Sequence, residues 1–181
     1  MDIWLNRKAR VSVLTALLIV GTMYFSSLSV QAADVSQQVD PVQRISQALL
    51  DAGGTVFPIG SPNTTYEKYF TGKSYAALLS KGGVPVYNVT FDQGAHTYWH
   101  IHHKTCQILV AESGRGYYQI WGESAKELHP GETVTIPEGV KHWHGAAPGS
   151  MFQHLAIMEP VKDSSTEWLE PVDAEEYNAL K

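Results

Sequence analysis

The sequence predicts an all-β domain, an antiparallel sandwich or barrel, with short helices at both ends. Between Val84 and Met158, short runs of strand-forming residues alternate with Gly, Pro, Asn and Asp. Six or more such runs at this spacing are typical of antiparallel sandwiches and barrels. Two of the runs carry alternate histidines, and helix signals stand before and after the β-rich region. We therefore expect one β domain that carries a histidine-rich site.

The first 32 residues are predicted to be a secretory signal peptide that is cleaved after Ala32. Arg7, Lys8 and Arg10 precede an apolar run over residues 11–25, and small residues follow it. The run falls short of the ~20 residues that a membrane span needs. We therefore expect a secreted or periplasmic protein with no stable membrane insertion after cleavage. An uncleaved N-terminal anchor is the alternative.

Residues 33–83 are predicted to form a helix and an irregular extension that packs on the outside of the barrel. Asp40 is a good N-cap, Pro41 occupies the first helical position, and an apolar stripe follows. Gly53 and Gly54 are expected to end this helix.

Residues 84–160 are predicted to form the β domain itself, and 161–181 a C-terminal extension with a short helix. Asp173 and Glu176 are three residues apart, as in a capping box with Asp as the cap. This places the second helix close to the C-terminus.

Composition excludes some classes of partner. The net charge is −5, and the predicted leader holds three of the basic residues, so the mature chain is more acidic still. An acidic chain without a basic cluster argues against nucleic acid as a partner. Cys106 is the one cysteine, so no intrachain disulfide can form.

The histidine pattern predicts a metal site. Successive side chains of a strand point to opposite faces, so His100 and His102 share a face in "YWHIH", as His142 and His144 do in "HWHG". Alternate histidines on two strands suit a metal ion bound by imidazoles. Gln107, beyond a turn, can supply a fourth ligand through its amide oxygen.

The other polar and aromatic residues near these motifs receive weaker interpretations. We expect His103 to point outward and His129 to be structural in a turn, whereas His96 could lie at the mouth of the pocket. The hydroxyl groups of Thr97 and Tyr98 are candidates for orienting substrate. Trp99, Trp121 and Trp143 are expected to pack in the core or in a dimer interface.

Over residues 84–158 the chain resembles the cupins, which carry two sequence motifs. The first motif is matched by Gly94, His100, His102, Gln107 and Gly114, and the second by Gly131, Pro137, Gly139 and His142. The resemblance implies a double-stranded β-helix, a jelly-roll-like barrel, and a homodimer. It also implies one divalent metal ion (Mn, Fe, Ni, Co or Zn, with Mn favoured) bound by His100, His102, Gln107 and His142.

Gln107 departs from the commonest cupin pattern, in which this position is Glu. Three neutral imidazoles and a neutral amide leave the full 2+ charge on the ion, whereas a carboxylate would cancel part of it. Such an ion is a strong Lewis acid and is less suited to cycling through higher oxidation states. The substitution therefore favours lyase, isomerase or decarboxylase chemistry over oxidation.

The segments "KHWHGAAP" and "HLAI" resemble those of small single-domain bacterial cupins. This group includes decarboxylase-associated, quercetin-dioxygenase-like and manganese hydroxynitrile-lyase-like proteins, and it implies acid–base roles for His144 and His154. We therefore expect a metal-dependent lyase, isomerase or decarboxylase that acts on a small oxygenated metabolite. A metal-dependent dioxygenase and a non-enzymatic binding protein are the alternatives.

Overall fold

The computed structural model describes residues 40–51 and 56–181, with side chains from 40–49 and 56–181. The predicted signal peptide, the segment 33–38 and the glycine pair at 53–54 lie outside the described residues. Within the described part of the chain, no helix is long and apolar enough to cross a membrane.

The described chain is mostly β-strand, which confirms the all-β prediction. Two α-helices, α1 (Pro41–Asp51) and α2 (Ala174–Asn178), and a 3-10 helix (Glu67–Tyr69) accompany the strands. The strands are β1 (Ser61–Pro62), β2 (Phe70–Thr71), β3 (Ser74–Ser80), β4 (Val86–Phe91), β5 (His96–Thr97), β6 (His100–His103), β7 (Gln107–Gly114), β8 (Gly116–Ile120), β9 (Lys126–Leu128), β10 (Thr133–Ile136), β11 (His142–Ala146), β12 (Phe152–Ile157) and β13 (Ser165–Trp168).

The strands form two antiparallel sheets. One has the order β1-β3-β4-β12-β7-β10, and the other the order β13-β6-β11-β5-β2, with β8 pairing with β11 and β9. The two sheets enclose a core in which Phe91, Leu109 and Phe152 are fully buried. Strands of both sheets contribute to this core, as expected for two packed β layers around one interior.

Three strands of the segment 33–83, β1 to β3, belong to these sheets, and so does β13 of the segment 161–181. We expected an irregular extension in the first segment and an extension with a short helix in the second; the short helix is present as α2, but these strands were not anticipated. The runs "SP", "FT" and "STEW" are too short or too polar to predict strands by themselves. Pairing with neighbouring strands orders them.

The predicted helix caps are present. The Asp40 carboxylate accepts a hydrogen bond from Val42 N–H (3.2 Å), and the Asp173 carboxylate accepts from the N–H groups of Glu175 (2.9 Å) and Glu176 (3.0 Å). Each cap satisfies N–H groups that the first turn of a helix leaves free.

Each helix covers an apolar surface outside the interior. The side chains of Ile45 and Leu49 in α1 are fully buried against Ile59, Tyr75 and Met151. Burial of such a side chain contributes about 1.5–3 kcal/mol. Packing against the sheet therefore holds α1 in place.

Candidate metal centre

Three histidines meet on one face of the sheet that contains β6 and β11. His100 pairs directly with His142 across the two strands, and His102 follows on the same face. All three side chains are buried, and one ring nitrogen from each lies within 4.8 Å of the others. The predicted alternation therefore brings these imidazoles together.

Gln107 reaches the same cluster from the opposite sheet. It begins β7, and its Oε1 lies 3.0 Å from Nε2 of His142. Burial lowers the pKa values of His100 and His102, and interaction with the Gln107 amide partly offsets this lowering. The amide oxygen of Gln107 therefore lies at the histidine cluster, next to His142.

The backbone fixes the ring orientation of two of these histidines. Nδ1–H of His100 donates to the carbonyl oxygen of Tyr98 (2.9 Å), and Nδ1–H of His142 donates to that of Val140 (2.9 Å). A carbonyl oxygen can only accept, so the proton of each neutral ring stands on Nδ1. The lone pair of each Nε2 is then directed at the cluster.

His102 is held by a side chain rather than by the backbone. Its Nδ1 lies 3.0 Å from the hydroxyl oxygen of Thr166 in β13, which can accept Nδ1–H. Its Nε2 is buried without a hydrogen-bond partner. An unpartnered buried nitrogen costs free energy unless a cation occupies the space that it faces.

The contact between His142 and Gln107 leads to the same conclusion. With the His142 proton on Nδ1, both Nε2 and the amide oxygen are acceptors, yet they are 3.0 Å apart. A second proton on the ring is disfavoured because burial lowers the pKa of His142 to about 4. These donors fit a divalent metal ion, since neutral imidazoles with their other nitrogen hydrogen-bonded are the usual protein ligands.

His144 and His154 extend the cluster into the core. The ring of His144 lies 5.5 Å from that of His100 and 5.0 Å from that of His154, measured between centroids. Nδ1 of His144 and both ring nitrogens of His154 are buried without a hydrogen-bond partner. Burial lowers the pKa of both side chains, that of His154 to about 4. Both imidazoles are therefore neutral at pH 7.

The two histidines differ in their access to the interior cavity. This cavity measures about 830 Å³ and is lined by His100, His102, Gln107 and His144, among others. His154 does not line it and is fully buried between Phe91 and Phe152. His144 can therefore contact a molecule bound in the cavity, whereas His154 can affect such a molecule only through other side chains.

The remaining histidines lie outside the cluster. His103 is exposed and contacts Glu167 (2.8 Å), and His129 lies at the surface near Glu127 (2.9 Å), both as expected. His96 is not at the pocket mouth. Its ring stacks on Tyr177 at 3.9 Å, because its parity in β5 directs it to the face that α2 covers.

Thr97 lines the cavity, and its hydroxyl oxygen accepts a hydrogen bond from the His144 backbone N–H (3.1 Å). The side chain of Tyr98 is not part of the cavity lining. Trp99 and Trp143 pack in an apolar cluster beneath α2, and Trp121 is 59% exposed. These placements agree with a packing role for Trp99 and Trp143.

Thr166 and Trp168, which lie beside the histidines, were not identified in the sequence. The register of β13 on β6 places Thr166 beside His102 and Trp168 beside His100. Exposed and half-buried residues alternate along β13. The same period of two in "STEW" was the available signal, but four residues are too few to predict a strand.

Known proteins agree with this architecture and define the class of the protein. A profile of the Cupin domain matches residues 87–155. The chain also matches a cupin-like protein from Thermotoga maritima at 38% identity, over 68% of this chain and 94% of that chain, with a TM-score of 0.62. The chain belongs to the cupin family.

Among the curated relatives, the chain is 43% identical over 90 residues to an (R)-mandelonitrile lyase from Granulicella tundricola. The match covers 50% of this chain and 68% of that protein. A cupin 2 conserved barrel domain protein from Rhodopseudomonas palustris shares the fold at 19% identity, with a TM-score of 0.52.

Proposed function

We propose that this protein is a metal-dependent lyase that cleaves 2-hydroxynitriles into an aldehyde and hydrogen cyanide. The observation that carries the proposal is a cluster of four neutral donors, three imidazoles and the Gln107 amide. His144 lies beside this cluster and lines the cavity. The similarity to an (R)-mandelonitrile lyase supports the choice of substrate class.

The proposed ligands are His100, His102, Gln107 and His142, and manganese is the favoured ion, with Fe, Ni, Co and Zn as alternatives. When bound, the ion supplies Lewis acidity, which favours the deprotonated form of a substrate hydroxyl group. No His, Cys, Asp or Glu other than the three histidines joins this cluster within the described ranges. The donor set therefore leaves the full positive charge available for that purpose.

His144 is the proposed proton-transfer residue. Its neutral imidazole accepts the proton of the substrate hydroxyl group while the C–CN bond breaks and cyanide leaves with the bonding electron pair. The oxygen then forms the aldehyde carbonyl, and the imidazolium returns the proton to cyanide, which leaves as hydrogen cyanide. His154 contacts the His144 ring, so its proposed role is to position that ring.

The test is the release of benzaldehyde from (R)-mandelonitrile by protein loaded with each candidate metal. Loss of a positioned acid–base group typically costs 10²–10⁴-fold in rate, so we expect His144→Ala to lose roughly that much. His129→Ala is the matched control, because His129 is exposed and remote from the cavity. Full activity of His144→Ala, or oxygen uptake in place of aldehyde release, would contradict the proposal.

We also propose that the chain is exported and acts as a homodimer. Support for export comes from the basic, apolar and small-residue sequence of the first 32 residues. Fractionation of cells followed by N-terminal sequencing tests the first point, since a mature chain that begins at Ala33 is expected. The molar mass in solution tests the second.

A further inference from the structure

The cavity has an aromatic wall that lies outside the matched cupin region. Tyr66, Phe70 and Trp168 line it, and they come from the segment before residue 87 and from β13. We call these three side chains the aromatic wall. In the sequence, these three residues therefore lie outside the region that carries the histidine cluster.

Strand register places the aromatic wall next to the part of the cavity that the histidines line. Trp168 pairs with His100, and their ring centroids are 4.8 Å apart. Phe70 pairs with Thr97, whose hydroxyl accepts from the His144 backbone. A molecule bound through an oxygen near the histidines therefore has its next atoms beside these rings.

The inner part of the wall is braced, and its outer end is open. Tyr69 stacks on Trp168 with a centroid distance of 4.8 Å and an interplanar angle of 5°, and Phe70 packs on Phe91 at 5.9 Å. Tyr66 lies 6.1 Å from Trp168 and is 49% exposed. Bracing holds the inner rings in place before a substrate enters, which lowers the entropic cost of binding.

The opposite side of the cavity is aliphatic except for Tyr87, which is 38% exposed. Val89, Ala156 and Met158 line it from β4, β12 and the residue after β12. Aromatic rings prefer offset-stacked or edge-to-face contacts with other rings, which add to simple apolar burial. A space with the aromatic wall on one side and mainly aliphatic side chains on the other suits a flat aryl group.

We propose that the aromatic wall makes Trp168 the residue that selects substrates with an aryl group on the hydroxyl-bearing carbon. This inference rests on the proposed function and specifies its substrate class. It requires a preference for an aryl ring over a saturated ring of the same size, which general hydrophobicity does not produce.

The experiment compares kcat/KM for mandelonitrile with kcat/KM for its cyclohexyl analogue. The wild type is expected to prefer the aryl substrate, and Trp168→Leu to lower the ratio of the two values by roughly tenfold. Trp168→Phe is expected to keep most of it. Trp121→Leu is the matched control, because Trp121 is 59% exposed and does not line the cavity.

Two measurements separate substrate selection from a structural role of Trp168. The ratio of two substrates cancels a general loss of active enzyme, and elemental analysis reports the metal content of each variant. Tyr66→Leu provides a second variant, because Tyr66 lines the cavity and its ring contacts Trp168 rather than a histidine. An unchanged ratio in both Trp168→Leu and Tyr66→Leu, at normal metal content, would overturn the proposal.

Failure of the proposed function gives a different result from failure of this inference. If the wild type cleaves neither nitrile, calorimetry with benzyl alcohol and cyclohexylmethanol measures the same preference in binding. Tighter binding of benzyl alcohol that is lost in Trp168→Leu supports the aromatic wall even then. Equal binding of both alcohols by the wild type overturns it.

Discussion

Replacing Thr166 with valine is expected to weaken metal binding without moving any of the four proposed ligands. The Thr166 hydroxyl is the hydrogen-bond partner of His102 Nδ1, at 3.0 Å. Valine has nearly the same shape as threonine but cannot accept a hydrogen bond. The change therefore removes one interaction and little packing.

The expected loss of metal affinity follows from which nitrogen of the His102 ring carries the proton. A metal bound at Nε2 requires the proton to stand on Nδ1, where the variant offers no acceptor. An unsatisfied buried donor costs about 1–3 kcal/mol, and 1.4 kcal/mol corresponds to tenfold in an equilibrium constant. We therefore expect the metal dissociation constant to rise roughly 10–100-fold, in line with other partners of ligating histidines.

Competition with a chelator of known affinity measures the dissociation constant at a fixed pH. Thr166→Ser keeps the hydroxyl group and is the matched control, with near wild-type affinity expected. If Thr166→Val bound the metal as tightly as the wild type while retaining its fold, the assignment of Nδ1–H to the Thr166 hydroxyl would be refuted.

Three further predictions concern the metal charge, the backbone and pH. Gln107→Glu should tighten metal binding, because a carboxylate adds Coulombic attraction. It should also slow hydroxynitrile cleavage, because the negative charge cancels part of the Lewis acidity of the ion. Chelator competition measures the first effect, and the rate of aldehyde release measures the second. Gly114→Ala should lower the free energy of unfolding by more than about 2 kcal/mol, because φ is +72° and a Cβ atom there would stand 1.9 Å from the Met151 carbonyl oxygen. Gly122→Ala, at φ +84° with open space around it, should cost only about 1 kcal/mol in the same urea titration, and equal losses would argue against the steric explanation. The pKa of His154 is lowered to about 4 in the folded state against about 6.5 when unfolded, so its contribution to the stability of the metal-free protein is fully present above pH 6.5 and is lost as pH falls towards 4. Urea titrations between pH 7 and 4 should show a smaller loss of stability for His154→Leu than for the wild type, and identical pH dependence would contradict the assignment.

The histidine cluster was predictable because its sequence signals are local and periodic. His100 and His102 repeat with a period of two, as do His142 and His144, and burial on one face follows directly from strand geometry. A turn before Gln107 was enough to anticipate that its amide reaches the cluster. The fold followed from the same alternation, since strands that bury one face must pack on another layer.

The aromatic wall and the Thr166 contact could not be predicted for the opposite reason. Both depend on pairing between segments far apart in the chain: Thr166 and His102 are separated by 64 residues. The period of two in β13 extends over four residues, which is too short to distinguish a strand from a loop. The position of His96 stayed open because its strand contains two residues, so its parity could not be related to that of β6.

The proposed ligands are divided between the two sheets, with the histidines on one and Gln107 on the other. An ion held by all four would therefore act as a non-covalent crosslink through the interior. Such an ion would bind the folded protein, in which the two sheets are packed together, and not the unfolded chain. A free ion concentration of 100 times the dissociation constant would then add about 2.7 kcal/mol to the free energy of unfolding. The catalytic ion would then also be a structural one, and separation of the layers would require its release.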